Sequence, residues 1–222
     1  KEISYELIFY DRKTLGIKVF PEGSVKVYAP SDTSNDKIEE KVKEKARWIL
    51  KQQNEFLSYH PLTPARKYIN GETHLYLGRQ YILQSEINQV NQVKAYRGKL
   101  VVQHKSNTKV ETVVKNWYRE KAIEHFNSVL EEKINLFTKY DIEKPLVEIR
   151  SMSKRWGSCT VKGKVILNPE LIKAPKGSIE YVMIHELCHL VHHNQTKAFY
   201  ELQEKIMPDW KKWKTKLEYS LV

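Results

Sequence analysis

The architecture follows from the segment Tyr181-Val-Met-Ile-His-Glu-Leu-Cys-His-Leu190, which is apolar on most sides and therefore predicts a buried helix. Two histidines four residues apart, His185 and His189, lie one above the other on one face of such a helix, roughly 6 Å apart. That spacing allows both imidazoles to converge on one zinc ion, and the carboxylate of Glu186 can then take a proton from a metal-bound water. The pattern is short, so the alternative to weigh against it is a core helix with two hydrogen-bonded histidines.

The composition is that of a soluble globular protein with one domain or two small ones. Of the 222 residues, 41% are hydrophobic and 29% charged, and no apolar run approaches the length of a membrane span. Only two cysteines occur, Cys159 and Cys188, which predicts no disulfide framework and favours a reducing cytoplasm. The formal net charge of +11 permits contact with nucleic acid, but its even spread is more typical of a solvated basic surface.

The first half of the chain is predicted to be rich in strands. Apolar and polar residues alternate at 16–28 and again at 90–102, and turn-forming glycines interrupt both stretches. One amphipathic helix is expected from Asp36 to about Gln53. Residues 1–105 therefore predict a small, twisted, mostly antiparallel sheet with one helix. The helix residues expected to be buried are Ile38, Val42, Trp48 and Ile49.

From Thr108 onward the apolar period changes from that of strands to that of helices. Thr108 and Glu111 fit a capping box, and a long amphipathic helix is predicted to run to about Thr138 as a scaffold for the histidine helix. Short strands are predicted at 146–149 and 164–167, on either side of a glycine-containing loop. Two more helices are expected after the histidine helix, so the fold class is predicted to be α+β.

With these residues in view, the chain resembles the YgjP-like family of predicted zinc metallopeptidases, relatives of the SprT-like proteases in the zincin class. The resemblance rests on Ser153-Lys-Arg-Trp-Gly-Ser-Cys159, on Ile166-Leu-Asn-Pro169, on the histidine segment and on Pro208-Asp-Trp210. It implies that residues 106–222 form a helical minimal zincin core with a short sheet. The strand-rich portion would precede this metallopeptidase domain, either separately or within one compact unit.

The resemblance also implies the chemistry of the site. A single Zn²⁺ per chain would be held by His185 and His189, with Glu186 as general base acting on a peptide or protein substrate. The family has a third histidine six residues after the second, and in this chain that position is Gln195. Catalytic zinc has three protein ligands and one water, and a glutamine oxygen is a weaker ligand than imidazole. Gln195, or a water in its place, is the first choice for the third ligand.

Two alternatives for the third ligand remain open. His193 lies roughly 12 Å along the axis from His185 if the helix continues, so it can share a metal only if the helix ends near Leu190–Val191. The other candidates are glutamates on the next predicted helix, Glu201 and Glu204. Because of the glutamine, the alternative function is a weakly active or inactive metal-binding or nucleic-acid-associated module.

Two residues of the loop before residue 164 are candidates for substrate binding. Arg155 can bind a substrate carboxylate or the oxyanion, and Trp156 can shape a pocket. The alternative is a packed turn in which Trp156 fills the core and Gly157 supplies an unusual backbone angle. A rival constellation is a hydrolase that pairs Cys159 with a histidine, which needs an activated thiolate.

Overall fold

A computed structural model of the chain describes residues 3–12, 14–20, 23–58, 66–152 and 155–220, without the side chains of 55–58. The predicted α+β class is confirmed, with 46% of the residues helical and 23% in strands. The chain divides into two compact units, Lys1–Pro64 and Ala65–Val222. None of the described helices is long and apolar enough to cross a membrane.

In its described residues, the first unit contains a three-stranded sheet and two helices. Its elements are β1 (Glu6–Phe9), β2 (Gly16–Val19), β3 (Val25–Ala29), α1 (Asn35–Glu44) and α2 (Ala46–Ser58). The central strand β3 pairs in parallel with β1 and antiparallel with β2. The antiparallel pair is the hairpin that the alternation at 16–28 around a turn-forming glycine predicts. Alternate residues of β3 are buried and share a small core with the two helices.

The prediction of a single helix from Asp36 to Gln53 is wrong. The helix is interrupted at Lys45, whose φ and ψ of −91° and 3° lie outside the helical region, and neither glycine nor proline marks the break. The prediction that Trp48 is buried is also wrong, because this residue is 44% exposed. It lies about 100° round α2 from Ile49, so only one of these two residues can face the sheet. The predicted positions that are buried are Ile38, Val42 and Ile49.

The second unit holds two further sheets and four helices among the described residues. Its strands are β4 (Thr73–Tyr76), β5 (Arg79–Ile87), β6 (Gln92–Tyr96), β7 (Lys99–His104), β8 (Val147–Ile149), β9 (Gly157–Cys159) and β10 (Val165–Leu167). Its helices are α3 (Val110–Lys133), α4 (Lys176–Val191), α5 (Lys197–Ile206) and α6 (Trp210–Ser220), with 3₁₀ segments Ile134–Tyr140 and Pro169–Lys173.

The sheets of the second unit correct the prediction of one N-terminal sheet. The larger has the order β4–β5–β7–β6, in which β5 and β7 are parallel and the other pairs antiparallel. The smaller has the order β8–β10–β9, with β8 parallel and β9 antiparallel to β10. The predicted short strands at 146–149 and 164–167 are confirmed as β8 and β10.

The long helix α3 is the predicted scaffold, and it contacts α4 and the strands β6, β7 and β8. Its start differs from the prediction, because Lys109 is the N-cap residue and makes no side-chain capping bond. Thr108 does not form the expected capping box with Glu111, since its hydroxyl hydrogen-bonds the Asn107 side chain at 3.3 Å. Beyond Lys133 the chain continues as a 3₁₀ segment, so the α-helix is shorter than predicted.

The division at 64/65 differs from the expected division at 105/106. Leu83 of β5 and Leu100 of β7 are fully buried in the same core as Phe126 of α3 and Met183 of α4. The strands β4–β7 therefore belong with the helices that follow them. That residues 106–222 form the metallopeptidase domain stays a prediction.

Candidate metal centre

The histidine segment forms the buried helix α4, as its apolar pattern predicts. The helix begins at Lys176, with Pro175 as its N-cap residue. Ser178 lies buried in the first turn, and its hydroxyl donates to the carbonyl oxygen of Trp213 at 3.0 Å. At the other end, α4 stops at Val191, because the backbone of the next residue is extended. This stop turns the chain back, so that α5 packs against α4.

The Nδ1 atoms of both histidines are occupied by hydrogen bonds. His185 Nδ1 donates to the side-chain oxygen of Gln203 at 2.8 Å. His189 Nδ1 lies 3.3 Å from the carbonyl oxygen of His192 and 3.2 Å from that of His193. Because these oxygens can only accept, each ring carries its proton on Nδ1 and a lone pair on Nε2. Burial lowers the pKa of His185 to about 4, which keeps this imidazole neutral at neutral pH.

The two Nε2 atoms converge on the side-chain amide of Gln195. The amide nitrogen lies 3.2 Å from His185 Nε2 and 3.5 Å from His189 Nε2. The amide oxygen accepts a hydrogen bond from the Tyr200 hydroxyl at 2.9 Å. Gln195, six positions after His189, therefore contacts both histidine rings.

The two imidazoles, together with the oxygen of the amide, are a donor set that a zinc ion accepts. Among the described residues, no group of three or more His, Cys, Asp or Glu side chains is arranged to hold a metal ion. The third polar group here is an amide, and its nitrogen lies beside the Nε2 atoms of both imidazoles. Zinc accepts nitrogen and oxygen ligands, although a neutral amide binds it less strongly than a third imidazole does.

The other candidates for the third ligand are placed differently. The helix α4 ends at Val191, as His193 would need in order to share a metal with His185. The exposed ring of His193 lines the cleft, but His193 contacts His189 through its backbone carbonyl oxygen. Glu201 pairs with a lysine one turn earlier on α5. Glu204 accepts a hydrogen bond from Trp210 Nε1 at 2.8 Å. Of these candidates, it is Gln195 whose side chain contacts both histidine rings.

Glu186 is buried against β9. Its side chain is 5% exposed, and its carboxylate accepts a hydrogen bond from the backbone N–H of Cys159. Burial raises the pKa of Glu186 to about 7, although the positive charge of Arg155 and the Cys159 N–H oppose this rise. A Cβ atom on Gly157 would lie 2.6 Å from Glu186 Oε1, so glycine allows the close approach. Gly157 does not lie in the left-handed region, so the expected unusual backbone angle is not its role.

Part of the predicted loop before residue 164 is a strand, β9, at the edge of its sheet. On the side of β9 that faces β10, the Trp156 carbonyl accepts a hydrogen bond from the Asn168 N–H, and the Thr160 N–H donates to the Lys164 carbonyl, each at 2.9 Å. Because antiparallel pairs alternate, Gly157 and Cys159 between them turn their backbone groups to the opposite edge. The Cys159 N–H bond to Glu186 shows that this outer edge faces the histidine helix.

The site opens into a cleft of about 680 Å³, which both predicted substrate-binding residues line. Arg155 is exposed there, whereas Trp156 is half-buried and packs against the hydrophobic core. Each uses its backbone carbonyl to accept a hydrogen bond from Asn168, which anchors this wall of the cleft. Ser153 and Lys154 of the same motif lie outside the described residues.

The environment of Cys159 opposes the rival hydrolase. Burial and the charge of Glu186 raise the pKa of the Cys159 thiol to about 11. Its Sγ–H donates to the carbonyl oxygen of Thr160 at 3.5 Å. A protonated thiol beside a carboxylate lacks the activation that a cysteine nucleophile needs.

Sequence reasoning missed two residues of the site, Gln203 and Tyr200. Gln203 is fully buried four residues after Phe199, on the apolar face of α5, and its side-chain nitrogen has no partner among the described residues. A glutamine on the apolar face of an amphipathic helix is the signal that could have revealed it. The spacing of Tyr200 relative to Gln195 carries no comparable signal.

Comparison with known proteins gives one family. Residues 13–220 match the family model described as YgjP-like, metallopeptidase domain. Two solved metallopeptidase zymogens are similar, jannalysin of Methanocaldococcus jannaschii at 19% identity and abylysin of Pyrococcus abyssi at 24%. The match to jannalysin covers 44% of this chain and 97% of jannalysin, with a TM-score of 0.37. The match to abylysin covers 46% of this chain and 98% of abylysin, with a TM-score of 0.32. A comparison with curated proteins gave no match.

Proposed function

Because this chain belongs to the YgjP-like metallopeptidase family, we propose that it is a zinc-dependent peptidase with His185, His189 and Gln195 around the metal and Glu186 as general base. The observation that carries the proposal is the convergence of two Nε2 lone pairs on the Gln195 amide. Hydrogen bonds on Nδ1 fix both tautomers in the form that binds metal.

The residues of the site divide the chemistry between them. Bound zinc would supply a Lewis acid that polarises the scissile carbonyl and acidifies the attacking water. Glu186 takes a proton from that water as it attacks the carbonyl carbon, and passes a proton to the leaving amine. Burial of the carboxylate keeps bulk water away from this transfer, and the Cys159 N–H fixes its orientation.

The outer edge of β9 supports a peptide as the substrate. Gly157 turns its backbone N–H and carbonyl to the cleft, where an extended peptide can pair with them as an added strand. Arg155 lies on the same wall and supplies a positive charge for a substrate carboxylate or for the oxyanion. Specificity is then expected to depend on the side chains that flank this edge.

A nucleic-acid-associated module remains the second interpretation, with less support. Trp210 is buried between the rings of Tyr181 and Tyr200, at centroid distances of 6.1 and 5.9 Å, so it cannot stack on a base. Trp213 is half-buried and lies under the ammonium groups of Lys212 and Lys216 of its own helix. This arrangement is that of an amphipathic helix with solvated lysines.

Peptide cleavage that depends on zinc tests the proposal. We expect the purified chain to cleave members of a mixed peptide library, to lose this activity on dialysis against a chelator, and to regain it when zinc is added. Mass spectrometry of the products measures the cleavage, and His189→Ala is the control that should stay inactive after zinc is added. Cleavage at an unchanged rate by the chelated, zinc-free protein would contradict a metal-dependent mechanism.

A further inference from the structure

The Gln195 amide presents the wrong atom for a metal ligand. Its nitrogen faces both histidine rings, at 3.2 and 3.5 Å from their Nε2 atoms. An amide nitrogen offers two N–H donors and no available lone pair, whereas the amide oxygen offers two lone pairs. In this orientation Gln195 satisfies the histidines by donating to them. It can coordinate a metal only after the amide group has turned over.

The hydroxyl of Tyr200 suits either orientation of that amide. It now donates to the Gln195 oxygen at 2.9 Å. A hydroxyl both donates and accepts, so after a half-turn about the last side-chain torsion the amide N–H can donate to the same hydroxyl oxygen. Glutamine tolerates this change, because its terminal torsion is broad and roughly two-fold.

The ring of Tyr200 is held in place by other aromatic residues. It stacks on Trp210 with an interplanar angle of 22°, and it meets Phe199 edge-on at a centroid distance of 5.3 Å. Trp210 is fixed in turn, because its Nε1–H donates to Glu204 at 2.8 Å. The hydroxyl is therefore a positioned partner for the amide and not a freely moving one.

We propose that the Gln195 amide turns over when the metal binds, so that its oxygen becomes the third ligand, and that Tyr200 is the positioning residue that supports both orientations. The inference rests on the proposed zinc function. Without metal, the amide N–H groups occupy the histidine lone pairs. Metal binding must therefore displace the hydrogen bonds to His185 and His189.

Zinc affinity of the full chain tests the role of Tyr200, measured by competition with a chromogenic chelator. Tyr200→Phe keeps the aromatic packing and removes the hydroxyl. Without the hydroxyl the metal-free amide is still held by both histidines, whereas the metal-bound amide loses the partner that orients it, so zinc binding is expected to weaken by roughly 10–100-fold. The same substitution in a Gln195→Ala background is expected to cause little further loss, because the hydroxyl acts through the amide. The matched control is Tyr96→Phe, which removes an exposed hydroxyl from β6 and should leave zinc affinity unchanged.

The outcomes separate this inference from the proposed function. If the wild type binds zinc and Tyr200→Phe binds it equally well, the positioning role is overturned and the proposed function stands. If Tyr200→Phe weakens binding as much in Gln195→Ala as in the wild type, Tyr200 does not act through the amide, and the inference is again overturned. A wild type that binds no zinc overturns both. Thermal unfolding of the metal-free Tyr200→Phe protein checks that its fold is intact.

Discussion

Glu186→Gln is expected to lower kcat/KM for peptide cleavage by roughly 10²–10⁴-fold, while the protein keeps its zinc. The substitution preserves the size of the buried side chain and its contact with β9, but an amide cannot take a proton from water. Steady-state kinetics on one cleaved library peptide, together with metal analysis of the same sample, measure both quantities.

The matched control for this variant is Glu201→Gln. It makes the same chemical change on an exposed part of α5 and should affect neither the rate nor the zinc content. The control also tests Glu201 as a candidate for the third ligand, because replacing a carboxylate that binds zinc with an amide would weaken metal binding. An unchanged cleavage rate in Glu186→Gln would refute the general-base assignment.

Gly157→Ala is expected to reduce kcat/KM by about 100-fold without loss of zinc. The new methyl carbon would lie 2.6 Å from Glu186 Oε1 and 2.9 Å from its Cγ, closer than van der Waals contact allows. Glu186 is 5% exposed and β9 is paired with β10, so the Glu186 side chain must shift from its present position. Misplacement of a catalytic group by about 1 Å costs on the order of 100-fold in rate.

Ser158→Ala is the control for this substitution. It lies in the same strand, but its side chain leaves from the opposite face, so we expect kcat/KM to stay within a few-fold of the wild type. Thermal unfolding of both variants separates a misplaced carboxylate from a damaged fold. Wild-type kinetics in Gly157→Ala would mean that the close approach of Gly157 to Glu186 has no part in catalysis.

The elements that the sequence predicts well are those with a repeating apolar pattern. The scaffold helix α3 is predicted from helical spacing, the buried helix α4 from a segment that is apolar on most sides, and the hairpins from alternation around glycine. The strand β9 was not, because Gly157-Ser-Cys159 has no apolar alternation and becomes a strand through its pairing with β10. The break at Lys45 was missed since no glycine or proline marks it.

One part of the candidate site can be predicted from local sequence spacing, and the other part depends on long-range packing. The spacing within α4 predicts that His185 and His189 share a face, and their ring centroids lie 5.0 Å apart. The contacts of Gln195, Tyr200 and Gln203 depend instead on how sharply the chain turns after Val191 and how α5 packs on α4. No periodic pattern encodes that packing, so these partners become visible only in the structure.

Elemental analysis of protein purified without added metal shows whether the two histidines hold zinc despite Gln195. Wild type and His189→Ala are compared after identical preparation. We predict about one zinc per chain in the wild type and none in His189→Ala, because catalytic zinc needs both imidazoles when the third ligand is weak. A wild type that holds no zinc even after zinc is offered, or a His189→Ala protein that retains it, would contradict the account.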